Sequence, residues 1–518
     1  MTSLRTKPLI LAVVCLAVLA INLDTTIVNV ALPSIADQLH TGTRGLQWVV
    51  DGYNLAFAGL VLAAGSLSDW YGRRPALIVG LLAFAATSVI GAEAGSIGWL
   101  VALRFAMGAS AALIYPTTLS IISNAFRERG QRAMALGIWG AVTGVGVATG
   151  PVVGGALLQH FYWGSVLWAL VPVAVLTAGA AFVVVPESKD PSVPALDRPG
   201  VLVSVLMLAL LTYTVIEAPA RGWHSAATLG GFAATAALVG LFIAVERRAA
   251  HPMLDLSLFG DRRFSAASGS VMVAFFSLFG FIFLITQFFQ LIRGYDALST
   301  GTRILPVAAS IAGASVVGGL LAPRIGTRTV VATGLAILAS AFLWISQVAP
   351  DSSYAAVIVP EMVLMGVGMG LISTPATDSI LLVLPPSRVG VGSAVNDATR
   401  ELGGTLGVAV VGSVFASVYG HHLATSAFAQ LGAAPLRQAT RSVDAAAQMA
   451  QASPQLGAAL RSSFMSGLHT GSLVVGLLCL AAALAAVVAL PGRRGPALGS
   501  APCSEPSSSS SPTPSVVG

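Results

Sequence analysis

The chemistry this sequence can do rests on ionisable side chains set inside apolar runs, where a charge costs at least a few kcal/mol unless it is paired or put to use. Asp24 stands in Leu23-Asp24-Thr25-Thr26 with no basic residue within a helical turn. It is either a structural acid bonded to a neighbouring hydroxyl or a group that takes up and releases a proton, because a carboxyl held away from water is costly to keep charged. Arg104, in Leu103-Arg104-Phe105, must bond a carboxylate, backbone carbonyls or water. A third cluster reads Asn396-Asp397-Ala398-Thr399-Arg400-Glu401. The i,i+3 and i,i+4 spacings put Asp397, Arg400 and Glu401 on one helix face. They form either an internally neutralised pair or, with two acids against one arginine, a spare carboxylate for a cation or a second proton. Asp51, near the outer end of its run, is an interfacial acid or a lure for cations. Gln287 and Gln290, among Phe276, Phe283, Phe288 and Phe289, either line an amphiphilic cavity or sit in ordinary helix packing. Glu361 and Asp378 are weaker candidates, each nearer the end of a run.

The elements that position these groups follow from hydropathy. With 55% hydrophobic and 9% charged residues and a mean hydropathy of +0.84, the chain has too little polar surface for a soluble globule of this size. Apolar stretches of bilayer-spanning length number fourteen, from 9–33 to 464–490. The first follows Arg5 and Lys7 but has no small-residue cleavage site, so it reads as a retained span rather than a signal peptide. Most of the 27 Lys and Arg residues fall in segments that an inside amino terminus places in the cytoplasm, which puts both termini there. The charge of +6 is scattered in twos and threes, forms no continuous patch, and argues against nucleic acid. Three cysteines without paired spacing imply no disulfide framework or metal site.

Between the second and third runs lies Gly65-Ser66-Leu67-Ser68-Asp69-Trp70-Tyr71-Gly72-Arg73-Arg74. Its glycines allow a tight bend, Asp69 can cap a helix or pair with an arginine, and Arg73 and Arg74 anchor a cytoplasmic turn. Residues 319–328 repeat the spacing, with Gly319 on Gly65, Gly326 on Gly72, Arg328 on Arg74 and Pro323 in place of the acid. A degenerate copy of one turn is what a duplicated six-span unit leaves behind, with halves related by an axis along the membrane normal. Two runs near 200–218 and 226–246 lie between the halves. In the fifth run, glycines at intervals of three and four, among them Gly146, Gly150 and Gly154, make a face another helix can approach, and Pro151 introduces a kink before Gly154-Gly155.

These stretches together resemble the major facilitator superfamily, and within it the fourteen-span drug:proton antiporters. The resemblance covers nearly the whole chain except 420–463 and the tail. It implies that Gly65, Asp69, Gly72, Arg73 and Arg74 form the loop that locks and releases the two halves. It also ties Asp24 to proton or substrate coupling and Arg104 to proton transfer, although Met107 replaces a usual glutamine. Acids such as Asp51, Asp397 and Glu401 serve cationic substrates in similar exporters. Gly146, Gly150, Pro151, Gly154 and Gly155 fit the motif that marks exporters rather than importers.

The expected fold is an all-α polytopic membrane protein with fourteen helices. Two six-helix bundles, 1–185 and 264–490, are separated by two extra spans with an interfacial linker helix (186–263). An outer segment, 420–463, allows an amphipathic helix pair, and a disordered cytoplasmic tail follows at 491–518. The expected function is proton-coupled export of amphipathic or cationic drugs and antibiotics across the cytoplasmic membrane by alternating access. The partners are such substrates, protons and the bilayer, with no cofactor. An exporter dedicated to one metabolite, lipid or self-made antibiotic is the alternative, and an importer stands further off. An enzyme is not expected, since the sequence has no P-loop, no metal-ligand cluster and no large soluble segment.

Overall fold

The structure, a computed structural model, describes residues 6–189, 197–249, 252, 254, 256–382 and 389–490. The expected disordered tail therefore lies outside the described residues. Among the described residues, fourteen helices are long and apolar enough to cross a membrane. In order they are Lys7–Gln38, Thr43–Tyr71, Arg73–Ala92, Ile97–Ala125, Met134–Leu158, Ser165–Val184, Arg198–Arg221, Ala226–Arg248, Arg262–Ile292, Ala297–Ile325, Thr327–Ile345, Tyr354–Ile380, Val395–Ala424 and Pro454–Ala489, referred to below as spans one to fourteen.

Helix ends follow local chemistry more than hydropathy. Span fourteen begins ten residues before its apolar run because Ser453 caps it and Pro454 fits the first turn, where no N–H is needed. Between spans thirteen and fourteen lie a 3₁₀ turn, Ala427–Leu431, and two short helices, Ala433–Arg441 and Val443–Ala450. The linker before span nine differs from the single interfacial helix expected. Its described part is one 3₁₀ turn, Leu256–Gly260, and Asp261 then caps span nine through the amides of Arg263 and Phe264.

The repeat seen in the sequence has a backbone counterpart. Gly72 joins spans two and three with φ +125°, and Gly326 joins spans ten and eleven with φ +92°. Both conformations are strained for a side chain bearing Cβ. These turns define one end of the molecule, the glycine-turn end; the short helices at 433–450 define the other, the capped end.

Spans one to six pack mainly among themselves, as do spans nine to fourteen. The two groups meet where span two lies on span thirteen and span five on span ten. Span seven bridges the first of these seams, touching both span two and span thirteen. Cross-group contacts cluster at the capped end. Gln47 donates to the Val408 and Ala409 carbonyls, Gln290 to the Val30 carbonyl at 2.9 Å, and Gln448 to Asp37 at 2.8 Å. Towards the glycine-turn end, by contrast, Gly137, Gly140 and Gly144 of span five have open space where a Cβ would go.

Candidate functional site

Span one is drawn against span five by part of the expected glycine face. A Cβ at Gly146 would lie 2.9 Å from that of Asn22, one at Gly154 2.7 Å from Ile27 Cγ1, and one at Gly150 would strike Thr26 Oγ1. This contact holds Asp24 inward, towards spans two and four. Span four approaches span two just as closely, since a Cβ at Gly108 would strike the Tyr53 carbonyl.

The two unaccompanied charges of the sequence meet here. Arg104 Nη1 donates to Asp24 Oδ1 at 2.7 Å and Oδ2 at 2.8 Å, and Arg104 Nε donates to the Val49 carbonyl at 3.0 Å. The guanidinium also lies 4.5 Å from the Tyr53 ring centroid. Asp24 is 0% exposed and Arg104 2%. Removing one partner of a pair this deep leaves an uncompensated charge, at a cost of about 3–5 kcal/mol. Met107 contributes only a long sulfur contact, 3.9 Å from Nη1, in place of the usual glutamine's hydrogen bonding.

The span-thirteen cluster is looser. Arg400 Nη1 stands 4.0 Å from Asp397 Oδ1, Nη2 donates to Thr377 at 3.2 Å, and the guanidinium lies 5.2 Å from the Phe275 ring centroid. Arg400 Nε and Glu401 Oε2 are buried without hydrogen-bond partners. Aromatic rings connect the two clusters: Tyr53 to Phe57 (6.2 Å), Phe57 to Tyr115 (5.6 Å) and Tyr115 to Trp139 (5.1 Å), all edge to face.

Other expected groups fall elsewhere. Asp51 is not at a mouth: it is 0% exposed, and neither carboxylate oxygen has a partner. Gln287 is buried and donates to the Phe283 carbonyl of its own helix. Gln290 ties span nine to span one, and Phe276, Phe283, Phe288 and Phe289 are buried core residues. In the signature loop Asp69 accepts from Arg73 Nε at 2.6 Å, Arg73 N donates to the Ser188 carbonyl, and Arg74 lies 3.5 Å from Glu187. A Cβ at Gly65 would meet only Pro116, at 3.5 Å. Gly155 serves a seam rather than span one, as its Cβ would lie 2.5 Å from the Ala297 carbonyl of span ten, and a Cβ at Gly301 would strike the Pro151 carbonyl in return.

Sequence reasoning missed Gln47, Tyr53, Tyr115 and Glu187. The signal for Tyr53 was present, four residues after Val49 on the same helix face, whereas Glu187 carried only its place just after span six.

Among the described residues, fourteen membrane-length helices surround a sealed ion pair and a second, incompletely bonded charge cluster, the arrangement of a polytopic membrane protein. The Major Facilitator Superfamily profile matches residues 14–408. The chain belongs to that superfamily. Among its relatives, the multidrug resistance protein Stp of Mycobacterium tuberculosis is 36% identical over 413 residues, covering 80% of this chain and 76% of that one. The multidrug efflux pump LfrA of Mycolicibacterium smegmatis is 35% identical over 93% and 96% of the two chains. The tetracenomycin C resistance and export protein of Streptomyces glaucescens is 31% identical over 95% and 94%. The fold matches a bacterial homologue of the human lysosomal transporter Spinster, with a TM-score of 0.67 at 19% identity over 94% of this chain and 97% of that one.

Proposed function

We propose that the protein exports amphipathic or cationic drugs and antibiotics across the cytoplasmic membrane in exchange for protons. In this reading both termini and the glycine-turn end face the cytoplasm, and residues 1–185 and 264–490 move as two bundles with spans seven and eight between them. The observation that carries it is the sealed Asp24–Arg104 pair, with the Tyr53 ring centroid 4.5 Å from the guanidinium.

With the capped end closed and span five open towards the other, the arrangement corresponds to the inward-facing stage of the cycle. Asp24 is held by Arg104 and carries no proton. A cation entering from the cytoplasm finds Glu401, whose Oε2 is unbonded, and Asp397, only loosely held. Once the molecule reopens outward, a proton on Asp24 removes the charge that holds Arg104, and the freed guanidinium repels the bound cation. Return and proton release inside restore the pair. Inward passage of one proton across 100 mV supplies about 2.3 kcal/mol, which the exit of a singly charged cation offsets, so one-for-one exchange of such a cation is driven by the pH gradient at about 1.4 kcal/mol per unit. The loop 65–74 steadies one state through Asp69, Arg73 and Arg74.

Similarity over 95% of the chain to a protein named for tetracenomycin C export supports a second reading, a dedicated exporter of one compound. Ethidium efflux from energised cells separates the two. The broad reading predicts efflux that a protonophore stops; no ethidium movement would favour the dedicated exporter.

A further inference from the structure

Span twelve carries an acid that the proposed cycle does not use. Glu361 is 3% exposed, its Oε1 has no hydrogen-bond partner, and it lines a small pocket with Phe281, Phe288, Ile345, Ile358 and Leu468. The pocket has room for about one water molecule. None of the ion pairs among the described residues includes it.

A second observation marks the same place. The two π-helical segments among the described residues, Phe288–Ile292 and Tyr354–Ile358, both border this pocket, through Phe288 and Ile358. Such segments are rare and concentrate at functional sites. They are joined directly by an edge-to-face contact of Phe289 and Tyr354 at 6.3 Å. The ionisable groups around Glu361 are engaged elsewhere or point outward. Arg293 donates to the Pro350 carbonyl, Arg303 lies on the rings of Tyr295 and Tyr354, Tyr354 donates to the Arg303 carbonyl, and His469 bonds the Val348 carbonyl at 2.7 Å. Asp351 and Arg461 are exposed, and span eleven offers no ionisable group in its capped half.

We propose that Glu361 is a proton-binding site that gates the capped end: closure requires a proton on Glu361, and opening lets it exchange with the outside. An ionised carboxylate enclosed by phenylalanine, isoleucine and leucine with an unbonded oxygen costs several kcal/mol, so the closed arrangement selects the neutral acid. Because a π turn differs from an α turn by one residue, resetting either segment rotates the side chains beyond it by about 100° and breaks the Phe289–Tyr354 closure. The place of this site in a transport cycle rests on the proton-coupled reading; proton binding itself does not.

The test therefore has two arms on the full chain. Infrared spectra of the purified protein in detergent at neutral pH should show a carboxyl C=O band that Glu361→Gln lacks and Glu361→Asp keeps. Superimposable spectra of native protein and Glu361→Gln would overturn the proton site. In proteoliposomes, native ethidium transport should fall towards tenfold per pH unit as the capped-side pH rises past the titration. Glu361→Gln, permanently neutral, should keep only the pH dependence that Asp24 protonation supplies and so show a shallower slope, and Glu361→Asp should regain the native one. A Glu361→Gln profile that follows the native one would overturn the gate. If the native protein moves no ethidium by proton exchange, the proposed function fails, and the infrared band decides on Glu361 by itself.

Discussion

Arg104 commits its charge to a single carboxylate and one carbonyl, whereas Arg400 is shared among a distant acid, a hydroxyl and a ring and keeps an unbonded nitrogen. Both lie deep in a membrane protein, yet they are built for different tasks. The first arrangement is closed and neutral, and in the proposed cycle a proton opens it. The second has bonding capacity to spare, and an incoming cation with hydrogen-bonding groups could complete it. Low dielectric makes both contrasts matter, since an unpaired buried group costs more there than at a surface.

The largest effect should come from breaking the closed arrangement on one side only. Asp24→Asn leaves Arg104 buried beside a neutral partner, and the melt of the detergent-solubilised protein should reveal a loss of about 3–5 kcal/mol. The double variant Asp24→Asn/Arg104→Gln removes both charges and should recover much of that loss. If it melts no higher than the single variant, the pair is not what holds these spans together.

Next comes the seam that keeps the capped end closed. Gly155→Val drives a side chain into the Ala297 carbonyl and should disfavour closure by about 1–3 kcal/mol. Labelling of a cysteine introduced into the capped-end seam should rise in this variant. Gly140→Val, facing open space, should not raise it.

At the loose cluster, Glu401→Gln should weaken binding of a cationic substrate about tenfold, or ~1.4 kcal/mol, while the melt moves little. An equal loss for a neutral substrate would argue against a charge role.

The smallest effect concerns the cap. Half-burial, then the charge of Asp37, pushes the Asp444 carboxyl above the usual aspartate range, and Gln448 bridges the two acids. The folded state thus binds this proton more readily than the unfolded chain. Its contribution is full below about pH 3.9 and fades as pH rises through the raised value. Hydrogen-exchange protection in 443–450, taken relative to the unfolded chain at each pH, should therefore rise on acidification by an amount worth under about 1 kcal/mol, and Asp37→Asn should shrink the difference.

The spans were legible because each apolar run is bounded by basic or glycine-rich turns, and the Gly72–Gly326 repeat is visible in both sequence and backbone. Asp24 and Arg104 could each be singled out by the cost of burying them. Their pairing could not, since 80 positions separate them and only the packing of spans one, two and four brings them together. The span-five stripe announced close approach but not its partners. Gly146, Gly150 and Gly154 meet span one, Gly155 meets span ten, and Gly137, Gly140 and Gly144 have open space where a Cβ would go. Asp51 and Glu361 stand near helix ends in the sequence yet are buried, Glu361 beside Phe288 and Ile358 of the two π-helical segments, because depth depends on what packs over a helix end as well as on distance from it.

The account turns on Asp24 as the proton-coupling acid. Proteoliposomes loaded with a trapped pH indicator and given an ethidium gradient report proton counterflow directly. The native protein should move protons against the ethidium flux. Asp24→Asn, reconstituted to the same amount, should leave the indicator unchanged whether or not ethidium still equilibrates. Proton counterflow of native size in Asp24→Asn would contradict the account and pass the coupling role to Asp397 or Glu401.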